Sequence, residues 1–184
     1  MTLRVLMVCT GNICRSTMAH QVLEEYAHAQ GLDIVVDSAG ISDEERGNPI
    51  DRRAARVLRE NGYGVPDHRA RQVQMSEIGD WDLILAMTEY HLRSLHRLRD
   101  RAGYRNDQAG RQGPSGRQYQ RSGGENGPQI RMFREFDPHS RGGDRDLPDP
   151  WYGGHQDFVD TLEVIERSMP ALIEYLRDNI PRPQ

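Results

Sequence analysis

The chain has 184 residues with 36% hydrophobic content and a formal net charge of −4. That length suits one domain or one domain with an extension, and the low apolar fraction puts part of the chain outside a core. The charge gives no basic excess to recruit nucleic acid. All 24 basic residues are arginine, which biased codon usage explains better than selection for guanidinium chemistry. The two cysteines, Cys9 and Cys14, make no disulfide scaffold and suit a reducing compartment. No apolar run is long enough to span a membrane. Val5–Val8, the only continuous apolar stretch near the N-terminus, is too short for a signal-peptide core, so a cytoplasmic location is expected.

Val5–Val8 is predicted to be a strand buried on both faces. It runs into Cys9-Thr10-Gly11-Asn12-Ile13-Cys14-Arg15-Ser16. Met18, Val22, Leu23 and Tyr26 then recur at helical spacing up to Gly31. Asp33–Asp37 forms a second strand, completing a βαβ unit. Asp51–Asn61 is a helix stopped by Gly62, and Asp82–Met87 a third strand. Thr88 caps a helix carrying Leu92, Leu95 and Leu98. From Arg99 to Gln129 there is no Val, Ile, Leu, Met or Phe. About 102–128 is therefore expected to be a disordered insertion, with too little apolar surface to offset its ordering entropy. Ile130–Phe136 reads as a fourth strand. A final helix starts near Gln156 or Asp157, with Pro170 expected to kink or break it.

A loop between a strand and a helix offers an anion unpartnered N–H groups and the positive end of the helix dipole. Gly11 permits unusual backbone angles and Asn12 tolerates left-handed ones, so the amides can converge. Arg15 adds a planar fork for two phosphate oxygens. The field that draws phosphate in also favours thiolate at Cys9. Ionisation by itself adds little rate, because nucleophilicity falls with basicity along a slope of about 0.4–0.5 in disulfide exchange. In-line placement of phosphorus over sulfur and stabilisation of the equatorial oxygens are the larger effects. A strand-end cysteine is commonly an inert core residue. The Walker phosphate loop is absent, and no second cysteine pair exists to complete a metal site with Cys9 and Cys14. The strand–Cys-x5-Arg-Ser–helix combination is what singles this stretch out.

The run Val8–Ser16 closely resembles the signature of low-molecular-weight protein tyrosine phosphatases. The resemblance continues in Asp37-Ser38-Ala39-Gly40, His68-Arg69-Ala70-Arg71-Gln72, Phe136-Asp137-Pro138 and Asp149-Pro150-Trp151-Tyr152-Gly153. These motifs span nearly the whole chain, with the 102–128 insertion outside them. The resemblance implies an α/β fold, a three-layer αβα arrangement on a four-stranded parallel sheet with the phosphate-binding loop after strand 1. It implies one phosphatase domain over 1–180, interrupted by the insertion, with 181–184 a frayed tail. It further implies that Cys9 is the nucleophile of a phosphocysteine intermediate, Arg15 the phosphoryl clamp and Asp149 the general acid and later base. Thr10, Gly11, Asn12, Ile13, Cys14 and Ser16 would line the phosphate, Ser16 stabilising the thiolate. Asn12, Ser38 and His68 would form the supporting network, and Cys14 could trap oxidised Cys9 as a disulfide. Pro148 and Pro150 independently stiffen the tip that carries Asp149. Beside a phosphate site, Trp151 and Tyr152 make walls for a phenyl ring.

Three positions depart from the family pattern. Thr17 stands where the family usually has proline at the first helical position. Thr88 replaces an acidic residue that braces the loop. Glu44 and Glu45 occupy the loop that often carries aromatic specificity residues. The expected activity is hydrolysis of phosphotyrosine in proteins, with no metal and no cofactor. The expected partner is a tyrosine-phosphorylated protein, with a bacterial-type tyrosine kinase one candidate, and neither nucleic acid nor a membrane span is involved. The alternatives are a protein arginine phosphatase on the same scaffold and a non-catalytic phosphopeptide binder. Ile13 and the Trp151-Tyr152 pair favour tyrosine over arginine. Arsenate reduction would need redox cysteines outside the loop, and there are none.

Overall fold

The computed structural model describes residues 2–104 and 127–179. Strands and helices alternate: β1 (Leu3–Cys9), α1 (Arg15–Ala29), β2 (Ile34–Gly40), α2 (Arg52–Glu60), β3 (Leu83–Ala86), α3 (Glu89–Arg101), β4 (Gln129–Met132) and α4 (His155–Asn179). All pairings are parallel, in the order β2-β1-β3-β4. Alternate residues of the central strands feed two cores. Leu3, Val5, Met7, Leu83 and Leu85 join the core under α1, α2 and α4. Leu6, Val8, Ile84 and Ala86 join the core under α3. Burial on both faces is why β1 and β3 read as unbroken apolar runs. The chain leaves β1 for β2 on one side and returns past β1 to β3 on the other. Such a reversal opens a crevice at the carboxyl ends of the strands, and Cys9 ends β1 there.

Several predicted elements change extent. β2 runs on to Gly40, because Asp37–Gly40 pair with Leu6–Cys9. The predicted fourth strand stops at Met132, and Phe133–Phe136 form a 3-10 turn. Phe133 and Phe136 both enter the larger core. In a strand, residues three apart point to opposite faces, whereas one turn of helix points both inward. α4 is not broken at Pro170. The proline lies on the exposed side, while Ile165, Met169, Leu172, Ile173 and Leu176 keep one continuous buried stripe.

At the edges of the segment expected to be disordered, Ala102 caps α3, and both Ala102 and Tyr104 pack on the smaller core. The Tyr104 ring fills the space that a side chain would need at Gly79 or Gly127. The remainder of that segment, 105–126, and the tail 181–184 lie outside the described residues. No helix among the described residues is long and apolar enough to cross a membrane.

Candidate active site

The turn from β1 to α1 is held in shape by Asn12. Its φ is 61°, the only left-handed non-glycine among the described residues. Gly11, expected to supply the unusual angles, does not take that conformation. It provides clearance instead: a Cβ there would lie 2.9 Å from Glu45 Cγ. Asn12 is fully buried. Its Nδ2 donates to Ser16 Oγ (3.1 Å) and Ser38 Oγ (2.9 Å), and its Oδ1 accepts from Arg71 N–H (3.0 Å). Its carbonyl accepts from His68 Nε2 (2.6 Å) and Thr17 Oγ1 (3.0 Å). Burial pushes the His68 pKa down against the pull of the Asn12 carbonyl, which favours the neutral imidazole.

Cys9 Sγ lies 3.0 Å from Ser16 Oγ and accepts the Asn12 N–H at 3.3 Å. Because Ser16 Oγ accepts from Asn12 Nδ2, its own proton is free to point at the sulfur. Among the described residues, the N–H groups of Gly11, Ile13, Cys14 and Arg15 have no protein acceptor. Those of Cys14 and Arg15 are donors expected at the start of a helix, and those of Gly11 and Ile13 belong to the loop before it. Cys14 is buried and reduced. Desolvation, then the charges of Asp51, Cys9 and Asp149, push its pKa far up and hold it as a thiol.

Arg15 opens α1 and is buried, with a side chain 6% exposed. Its Nη2 reaches Asp149 Oδ2 at 2.8 Å, and its Nη1 donates to the Leu147 carbonyl at 3.1 Å. The two motif residues, 134 apart in sequence, therefore meet at the start of α1. The loop carrying Asp149 is fastened upstream, where Leu147 N–H donates to the Met87 carbonyl (2.8 Å) and Asp146 Oδ1 accepts from Glu89 N–H (2.7 Å). At the tip, Asp149 Oδ1 accepts from Trp151 N–H (3.1 Å).

The two aromatic candidates differ. Trp151 lies against the Arg53 guanidinium, 5.3 Å from its carbon to the ring centre. Tyr152 is 94% exposed.

Some residues of the site escaped sequence reasoning. The brace expected from an acid at position 88 comes from His91, whose Nε2 lies 2.9 Å from Thr10 Oγ1, while Thr88 caps α3 by accepting His91 N–H. Thr17 is the third residue of α1, not the first, and its hydroxyl joins the Asn12 network. Gly40 is required by close approach, since a Cβ would meet the Thr10 carbonyl oxygen at 2.4 Å. Asp51 binds the loop by donating its N–H to the Ile13 carbonyl (2.9 Å). Of these, only the spacing of Asp51 before an apolar helical pattern carries a local signal, that of an N-cap.

The comparisons with known proteins agree with this fold. Residues 4–107 and 114–182 match the family "Low molecular weight phosphotyrosine protein phosphatase". The match thus runs through most of the segment that composition sets apart. A low molecular weight protein-tyrosine-phosphatase of Streptomyces coelicolor is 38% identical over 182 residues, covering 98% of this chain and 97% of that one. Among solved structures, a protein tyrosine phosphatase from Entamoeba histolytica, with Hepes in its active site, superposes with a TM-score of 0.76 at 25% identity, over 96% of this chain and 98% of that one. An arginine phosphatase from Drosophila superposes with a TM-score of 0.78 at 22% identity, over 95% and 98% of the two chains. At that identity the likeness is one of fold alone. The chain belongs to the low molecular weight phosphotyrosine protein phosphatase family.

Proposed function

We infer that this protein hydrolyses phosphotyrosine in proteins through a phosphocysteine at Cys9. The observation that carries the mechanism is the 2.8 Å contact between Asp149 and Arg15, the residue that closes the loop begun by Cys9. It joins a cation for the phosphoryl oxygens and a carboxyl for the leaving oxygen at the end of the loop that carries the nucleophile.

A phosphoryl group seated over Cys9 is held by the loop N–H groups and the Arg15 fork. Sulfur attacks phosphorus in line. The S–P bond forms, the P–O(aryl) bond breaks, and its electron pair goes to the phenol oxygen, which Asp149 in its acid form protonates. Asp149, now a carboxylate, takes a proton from water as the water oxygen attacks phosphorus. The S–P bond breaks, thiolate returns to Cys9, and inorganic phosphate departs. Ser16 Oγ and the Asn12 N–H receive the charge on sulfur each time it reappears.

Tyrosine is the preferred substrate residue because its phenol is a good leaving group once protonated and because Trp151 and Tyr152 sit beside Asp149 on the same tip. A phosphorylated protein, such as an autophosphorylated kinase of bacterial type, is the natural partner. Both cysteines are free thiols, and the chemistry needs Cys9 reduced, so we assign the work to the cytoplasm. The test is phosphate release from phosphotyrosine and phosphoarginine peptides, with Cys9→Ser and Asp149→Ala as controls. Phosphotyrosine turnover abolished by Cys9→Ser is the expected result. Faster turnover of phosphoarginine would reverse the choice of substrate, and no turnover of either would leave a phosphopeptide binder.

A further inference from the structure

Arg53, in the first turn of α2, makes more directed contacts to the acid loop than a surface arginine needs. Its Nε and Nη2 grip both oxygens of Asp51 (3.1 and 3.0 Å). Its Nη1 donates to the carbonyls of Trp151 (3.0 Å) and Gly153 (3.2 Å). The guanidinium carbon lies 5.3 Å from the Trp151 ring centre and 4.6 Å from that of Phe158. Asp51 in turn donates its N–H to the carbonyl of Ile13, inside the phosphate loop. At the far end, Trp151 N–H is the donor that fixes Asp149 Oδ1. A continuous path therefore runs from the nucleophile's loop, through Asp51 and Arg53, to the carboxyl of Asp149.

We propose that Arg53 is a positioning residue for the general acid: it sets the height of Asp149 over the phosphate loop through the carbonyls of Trp151 and Gly153. The proposal rests on the reading of Asp149 as general acid. The planar fork is essential to it. Two edges face one carboxylate and two carbonyls at once while the plane lies against the rings, which an ammonium on a flexible stem cannot reproduce. Geometry matters here because a misplacement of about 1 Å at a reacting group costs up to roughly 100-fold in rate.

The test compares leaving groups. Protonation by Asp149 matters for phenyl phosphate, whose phenolate leaves poorly, and hardly at all for dinitrophenyl phosphate. kcat/KM is the quantity to read, since it ends at the step that forms the S–P bond. Asp149→Ala calibrates the scale, with an expected loss of about 100- to 1,000-fold on phenyl phosphate and far less on the dinitrophenyl ester. Arg53→Met is expected to lose about 10- to 30-fold on phenyl phosphate and within about 3-fold on the dinitrophenyl ester. Arg53→Lys should fall between Arg53→Met and the unaltered enzyme. Inhibition by inorganic phosphate should be unchanged, showing an intact cradle.

With a steep Asp149→Ala response, equal losses on both esters in the Arg53 variants, or no loss, would overturn the proposal. An unfolded Arg53→Lys protein, read by circular dichroism, would also overturn it, by assigning Arg53 to holding the fold. A flat Asp149→Ala response would instead overturn the general-acid reading, and this inference with it.

Discussion

Asn12 holds the phosphate loop through a left-handed backbone and bonds to Ser16, Ser38, Arg71, His68 and Thr17. The backbone and side-chain parts of its role can be separated. Asn12→Gly keeps the φ available but removes the side-chain bonds, leaving the Arg71 N–H without its acceptor, and should cost about 2 kcal/mol of stability. Asn12→Ala loses the same bonds and adds about 1 kcal/mol or more of strain at positive φ. Urea unfolding of the two variants checks the order, and equal losses would mean that the backbone angle is not strained. His91 offers a second test at this scale. It is 1% exposed, Nδ1 has no partner among the described residues, and burial and then the Arg15 charge lower its pKa to about 3. Unfolded, it takes a proton near pH 6.5. The unfolded state therefore binds more protons between those values, and stability falls as pH drops below about 6.5. His20, His68 and His96 are shifted the same way. His91→Asn should therefore not abolish the fall but reduce its slope by about one proton, read from urea midpoints between pH 6.5 and 4.

At the scale of elements, the acid loop is stiff at its base. Asp137, with a side chain fully shielded from solvent, accepts from both nitrogens of the Arg167 fork, from Arg134 and from His139 N–H. Burial alone would raise its pKa, but these donors hold it at about 2. Arg134 also donates to Asp144 (2.9 Å) and to the Asp146 carbonyl (2.8 Å), where the acid loop begins. Asp137→Asn removes the buried charge that Arg134 and Arg167 share, leaves Arg134 with Asp144 alone, and should lower stability by about 3 kcal/mol. A loss below about 1 kcal/mol would mean that the arginines find other partners. The charge of Asp137 stabilises the fold above the unfolded carboxylate range, and that contribution disappears as pH falls toward 2. Thr88→Ala removes the α3 cap and should cost about 1 kcal/mol.

For the whole molecule, the site forms where the sheet order reverses, so the end of β1, the loop after β2 and the chain before α4 converge. Much of this was legible in the sequence. β1 and β3 were readable because both faces are buried, whereas Asp149 stood out only through the resemblance of Asp149–Gly153 to the family motif, its flanking prolines being equally at home in an ordinary turn. The 3-10 turn at Phe133–Phe136 was not, since a short apolar run suits strand and turn equally until the core fixes which residues point inward. Arg53 was not, because in a chain with 24 arginines nothing local marks the one that reaches two carbonyls about a hundred residues away. His91 was not, because its partner Thr10 is 81 residues distant.

The central claim is that Cys9 takes the phosphoryl group from phosphotyrosine. The direct measurement is rapid mixing with a phosphotyrosine peptide, acid quench and mass mapping of the phosphoryl group, with Asp149→Ala included to slow breakdown of the intermediate. The account predicts a phosphoryl adduct on the peptide containing Cys9, formed as fast as phenol is released and absent in Cys9→Ser. An adduct on another residue, or undiminished turnover by Cys9→Ser, would contradict it.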